Sequence, residues 1–209
     1  MRPLPILRLL GLAAVALGAS CVSGTAPLVV TGFHPLTPDP AAGCTVASGA
    51  AQLTGGMLDS TKGTGYIVGV SVLSELGDNS DKLRTSTNDA IIDQVVTKYR
   101  TDGTLGPPPG QTIALTGVIA PGAELSLPIT ILTTQNGQGL AGQSGGLLVD
   151  LTLKGHLEDG TPWQTATSTF PITVCSGCLK LCSDAAATAT CGPDASGQPD
   201  GRVCPSTGG

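Results

Sequence analysis

Between residues 44 and 175, apolar runs of strand length recur, separated by clusters of Gly, Pro, Asn and Asp. Side chains alternate across a strand but recur every three to four residues on a helix, so this pattern points to strands. Residues 66–73 are β-branched and of strand length. Residues 90–99 hold Ile91, Ile92, Val95 and Val96, which also suit a helix, but Thr97 and Tyr99 favour a strand. Alternation continues over 112–119 and over 125–132, where Pro128 predicts an edge position or a bulge. Runs at 147–157 and 165–174 flank Glu158-Asp159-Gly160-Thr161, and Asp-Gly between two such runs predicts a hairpin. With a first strand over 46–58, about seven strands are expected. The fold class is therefore all-β, a β-sandwich of immunoglobulin or fibronectin type, with a barrel as the alternative.

The flanks divide the chain further. Residues 21–43 carry Gly, Thr and Pro with little periodicity and read as a tether ahead of a 44–175 domain. Residues 176–209 are poor in large apolar side chains and rich in Cys, Ala, Gly and Pro. Such a tail builds no core and depends on cross-links for order.

At the start, Arg2 and Arg8 precede an apolar stretch over 9–19, and the small residues Gly18, Ala19 and Ser20 lead into Cys21. A basic start, a short apolar segment and small residues make a secretory signal peptide over 1–20. The stretch is too short to span a bilayer, which takes about 20 residues. The segment Gly18-Ala-Ser-Cys21 resembles the lipobox of bacterial lipoproteins, with Gly18 where that family prefers Leu. The resemblance implies cleavage before Cys21, a lipid on its sulfur and a chain held on the cell envelope. Val22 rather than Asp after the cysteine implies the outer membrane of a double-membrane bacterium. Several acyl chains would hold the protein far more firmly than one.

The chain has seven cysteines. With Cys21 taken by lipid, Cys44, Cys175, Cys178, Cys182, Cys191 and Cys204 form an even set, which in an exported chain reads as disulfides. Cys175-x₂-Cys178 also fits half a zinc site, but the other cysteines supply no second close pair. A thioredoxin-like redox motif would need a βαβ setting. Five C-terminal cysteines cannot all pair among themselves, so Cys44 is expected to bridge to one of them.

Charge and motifs narrow the function. The formal charge is −5, aromatics are 2% of the chain, and no basic patch is present, which argues against a nucleic-acid partner. Gly137-Gln-Gly-Leu-Ala-Gly142 fits a dinucleotide fingerprint only between a strand and a helix, and it reads as a flexible loop. Gly142-Gln-Ser-Gly-Gly146 fits the nucleophile elbow of hydrolases. Extended to Val149, it resembles the nucleophile segment of trypsin-like serine proteases. That resemblance implies Ser144 as nucleophile, but Gln143 replaces the usual Asp. The only histidine ahead of Ser144 is His34, in Gly-Phe-His-Pro. Asp78-Asn-Ser-Asp81 lacks the ligand spacing of a calcium loop. Glu158 and Asp159 belong to a turn, where paired carboxylates point apart, and Trp163 is expected to pack on a neighbouring strand. The expected function is a non-catalytic, membrane-anchored envelope lipoprotein with a structural or partner-binding domain. It would need no cofactor or metal and would meet an unknown protein or cell-surface partner. The alternative is a secreted serine hydrolase using Ser144.

Overall fold

The computed structural model describes residues 26–39, 43–46, 49, 51–62, 65–78, 88–103 and 105–178. Strands hold 61% of these and helix 6%, so the all-β class stands. In chain order the elements begin with β1 (Leu28–His34), β2 (Leu36–Asp39), β3 (Gly43–Val46), β4 (Gly56–Asp59), a 3₁₀ turn (Ser60–Lys62) and β5 (Tyr66–Ser74). They continue with β6 (Ala90–Asp102), β7 (Gln111–Ile119), β8 (Glu124–Leu132) and α1 (Thr134–Gly139). The chain then forms β9 (Gly145–Leu157), β10 (Pro162–Gln164) and β11 (Ser168–Cys175).

The larger sheet runs β4-β11-β9-β6-β7, with β10 also against β9, and the smaller runs β1-β5-β8. β4 pairs with β11 in parallel, whereas β11, β6 and β10 pair with β9 antiparallel. The arrangement is thus a curled, mixed sheet beside an antiparallel one. One core joins them: Val68, Val70 and Val72 of β5, Ile129 and Ile131 of β8, Val149, Leu151 and Leu153 of β9, and Ile172 of β11 are all buried in it. Alternation explains the selection, because on β9 the odd-numbered residues 147–153 point inward and the even-numbered ones stay half-exposed. Across the sheets, Phe170 of β11 packs on Phe33 of β1 at 4.9 Å between ring centroids and on Tyr66 of β5 at 5.9 Å.

Five expected strands appear almost as read, as β5 to β9. The Asp-Gly turn forms too, with Leu157 donating to the Thr161 carbonyl at 2.9 Å and β10 folding back on β9. Its return arm is split, because Thr165 leaves strand geometry and its side chain accepts from the Leu153 amide instead. Pro128 sits on β8, an edge strand, as expected of a residue without an amide donor.

Three readings need correction. The stretch 21–43 is not a tether throughout: Leu28 is fully buried, and β1 pairs with β5 from Leu28 to His34. The strand expected over 46–58 is two strands, β3 ending at Val46 and β4 starting at Gly56, with Gly49 at φ +72° between them. The glycine-rich loop contains a short helix, α1, whose N-terminus Thr133 caps by accepting from the Asn136 amide.

The β2–β3 hairpin seats on the second face of β5. A Cβ at Gly69 would collide with the Val46 side chain and approach that of Leu36 to 3.4 Å, so only glycine admits the hairpin this closely. β5 is consequently covered on both faces, which is why its sequence is nearly continuous in apolar residues.

Candidate functional site

The segment around Ser144 is held by Gln143. Its carbonyl accepts from Ser60 Oγ at 2.8 Å, its Oε1 accepts from the Gly106 amide at 3.1 Å, and its Nε2 donates to the Gly139 carbonyl at 2.9 Å. The residue standing where a protease would have Asp therefore ties together the 3₁₀ turn, the loop before β7 and α1. Ser144 itself is exposed, one residue ahead of β9. His156 lies at the far end of that strand, and 12 residues of strand rise put it roughly 40 Å away. His34 is on β1 of the other sheet, opposite Gly69. The amide of Gly146 donates to the Asp102 carboxylate and is thereby engaged. The structure thus brings no His156 base to Ser144, and a serine hydroxyl without a base is a weak nucleophile. A fluorophosphonate probe is expected to leave the purified protein unlabelled. Labelling that disappears in Ser144→Ala would make the chain a serine hydrolase.

Polar side chains do converge on the outer face of the larger sheet. Arg100 grips Asp150 with two hydrogen bonds, Nε to Oδ2 at 2.6 Å and a terminal guanidinium nitrogen to Oδ1 at 2.7 Å, and Thr169 donates to the same carboxylate at 2.7 Å. The Arg100 hydrogen bond holds the Asp150 carboxyl below its ordinary pKa, with Thr169 adding to the effect. A depressed carboxyl favours the fold above its unfolded pKa and loses that contribution as acid protonates it. Because Arg100 is exposed, the pair orders the strand surface more than it stabilises the chain.

At the other end of β9, His156 Nδ1 meets Asp93 Oδ2 at 2.8 Å. Asp93 is the extra residue of a bulge, since Ile92 pairs with Gly155 and Gln94 with Lys154. Beside it lies an open pocket of about 410 Å³ lined by Asp93, Gln94, Lys154, Pro162, Trp163 and Gln164. Trp163 is buried against Gly155, where a Cβ would overlap the Ile91 carbonyl and come within 2.6 Å of the indole. The indole therefore serves packing, as its place in a strand predicted, and its Nε1 finds no partner. The Arg100–Asp150 and Asp93–His156 pairs depend on the register of β6 against β9, which sequence does not display.

The paired carboxylates belong to the hairpin turn. Asp159 accepts from the Thr161 amide at 2.8 Å, and that hydrogen bond lowers its pKa. Of Asp78 to Asp81, only Asp78 is among the described residues, and among these no group of three or more His, Cys, Asp or Glu is assembled for a metal.

Cys175 and Cys178 form a disulfide with 5.8 Å between Cα atoms, so this pair is a local bridge and not half of a zinc site. It closes the end of β11 beside buried Asp59, which accepts from the Gly177 amide at 2.9 Å and from Thr61 through both amide and hydroxyl. Cys44 is also disulfide-bonded. Cys21, Cys182, Cys191 and Cys204 lie outside the described residues, as do the signal peptide and most of the tail. No described helix is long and apolar enough to cross a membrane. Compared with models of known protein families the chain matches none, and no curated protein matches it either.

Proposed function

We propose that this chain is a lipoprotein of the cell envelope, anchored through Cys21 and carrying a non-catalytic β domain with a structural or partner-binding role. The observation that carries the reading is the N-terminal sequence: two arginines, an apolar stretch too short to span, and Gly18-Ala-Ser leading into Cys21. Val22 after the cysteine favours the outer membrane. The finer description of the fold, a sandwich of immunoglobulin or fibronectin type, rests on two sheets sharing one core and belongs to this proposal. A binding role is supported by the outer face of the larger sheet, where Lys98, Arg100 and Asp102 are exposed along β6 and Arg100 grips Asp150 of β9. Partners of such domains dock on loops, faces or strand edges.

The test is Cys21→Ser followed by detergent phase partition of cell extracts. Wild-type protein is expected in the detergent phase, and the variant in the aqueous phase or retained as an unprocessed precursor. If the variant partitions like the wild type, Cys21 does not carry the anchor.

A further inference from the structure

We propose that β7 is a self-association edge, at which two copies of this chain pair antiparallel across a two-fold axis and join their larger sheets. This goes beyond the anchoring role and holds whether or not Cys21 carries lipid.

Among the described residues β7 is the terminal strand of its sheet and pairs only with β6. No backbone hydrogen bond from any described residue reaches its other edge. A free edge exposes a row of amide and carbonyl groups that can pair with another chain, and folded proteins ordinarily blunt such edges with charge, proline or shortness. β7 has neither charge nor proline and is of full strand length, so its one blunting device is the bulge at Leu115 and Thr116. Its nine residues, Gln111-Thr-Ile-Ala-Leu-Thr-Gly-Val-Ile119, include neither a charge nor a proline. Leu115 and Thr116 both fall opposite Asp93 where the register with β6 slips, yet the alternation of exposed and half-buried residues along β7 continues unbroken.

The surface beside this edge points the same way. Val118, 57% exposed, is the most exposed of the large apolar side chains among the described residues. On the inner side, Ile113 and Leu115 are only partly buried against the core, as are Leu125 and Leu127 of neighbouring β8.

The occupant follows from charge. The chain as a whole is acidic, at −5, so two copies repel unless they meet through neutral surface. An uncharged strand offers that surface to its own copy, and a two-fold contact requires one patch to complement itself. Full overlap of the nine residues sets Leu115 opposite its own copy, Thr112 opposite Val118 and Ala114 opposite Thr116. The exposed Val118 is then covered by a β-branched neighbour, a favourable cross-strand pairing.

That register gives a test in the intact envelope with the full chain. Leu115→Cys, treated with a mild oxidant, is expected to yield a dimer on a non-reducing gel. Thr173→Cys, on the exposed face of β11, is expected to yield none. Adding Thr116→Lys and Val118→Lys, both at exposed positions, places like charges along the joined edges and is expected to abolish the Leu115→Cys dimer. As a second measure, light scattering of the purified unsubstituted chain should give twice the chain mass. A monomer mass, a dimer equally strong at Thr173, or a Leu115→Cys dimer that survives both lysines would overturn the proposal.

Discussion

Phe170→Ala is expected to lower the free energy of unfolding by about 3–5 kcal/mol, the range for removing a large aromatic from a core that cannot collapse around the gap. The chain has one Trp, two Tyr and two Phe, and three of these meet at Phe170, Phe33 and Tyr66. Their elements belong to different sheets: Phe170 comes from β11, whereas Phe33 and Tyr66 come from β1 and β5. Phe170 is 1% exposed, so its ring leaves water almost completely on folding. Besides that burial, each tilted ring pair adds about 0.5–1.5 kcal/mol. The surrounding strands are held by hydrogen-bonded neighbours and cannot close on the cavity. Domains of this size are stable by only about 5–15 kcal/mol, so the loss would be a large part of the total. Urea unfolding of the purified protein measures it, with Glu158→Ala in the exposed hairpin turn as a surface control expected to stay within about 0.5 kcal/mol. A Phe170→Ala loss below about 1 kcal/mol would mean that the sheets are not joined through these rings.

Much of this packing was legible one strand at a time and almost none of it as pairing. The segments that became β5 to β9 announced themselves because one face of each is buried, which imprints a two-residue period. β1 did not. Its Leu28-Val-Val run is brief, Gly32 interrupts it, and Pro35 follows, so composition suggested a tether. Its order comes from β5, whose residues lie some forty positions away in the chain, roughly the separation at which local pattern says nothing. The Arg100–Asp150 grip and the Asp93–His156 pair depend likewise on register across β6 and β9, and the bulge at Asp93 shifts that register by one residue. Ser144 shows the opposite error. A motif was legible, but the strand that follows it carries His156 away from it instead of bringing a base near.

The cysteines supply the second large effect. Opening the Cys44 disulfide is expected to lower stability by about 2–5 kcal/mol, the usual result of removing a native bridge from a small domain. Cys44 is disulfide-bonded, while Cys175 and Cys178 are bonded to each other. The partner of Cys44 is therefore to be sought among Cys21, Cys182, Cys191 and Cys204. If Cys21 carries lipid, its sulfur is already used, and one of the three tail cysteines must close the bridge. That bridge would span on the order of 140 residues, and the chain-entropy model assigns a loop of that length about 4–5 kcal/mol. It would also act on a short hairpin. Cys44 sits in β3, whose hairpin with β2 lies against β5 at Gly69, and β2 and β3 are only four residues each. The tail gains in turn, because its few apolar residues cannot offset roughly 1–2 kcal/mol of backbone ordering per residue without covalent closure. Alkylation without reduction, followed by peptide mapping, identifies the partner, and thermal unfolding with and without reductant gives the magnitude. The mapping stands even if Cys44→Ser fails to fold. A Cys44 peptide recovered in alkylated form from unreduced protein, or a partner outside the tail, would defeat the assignment.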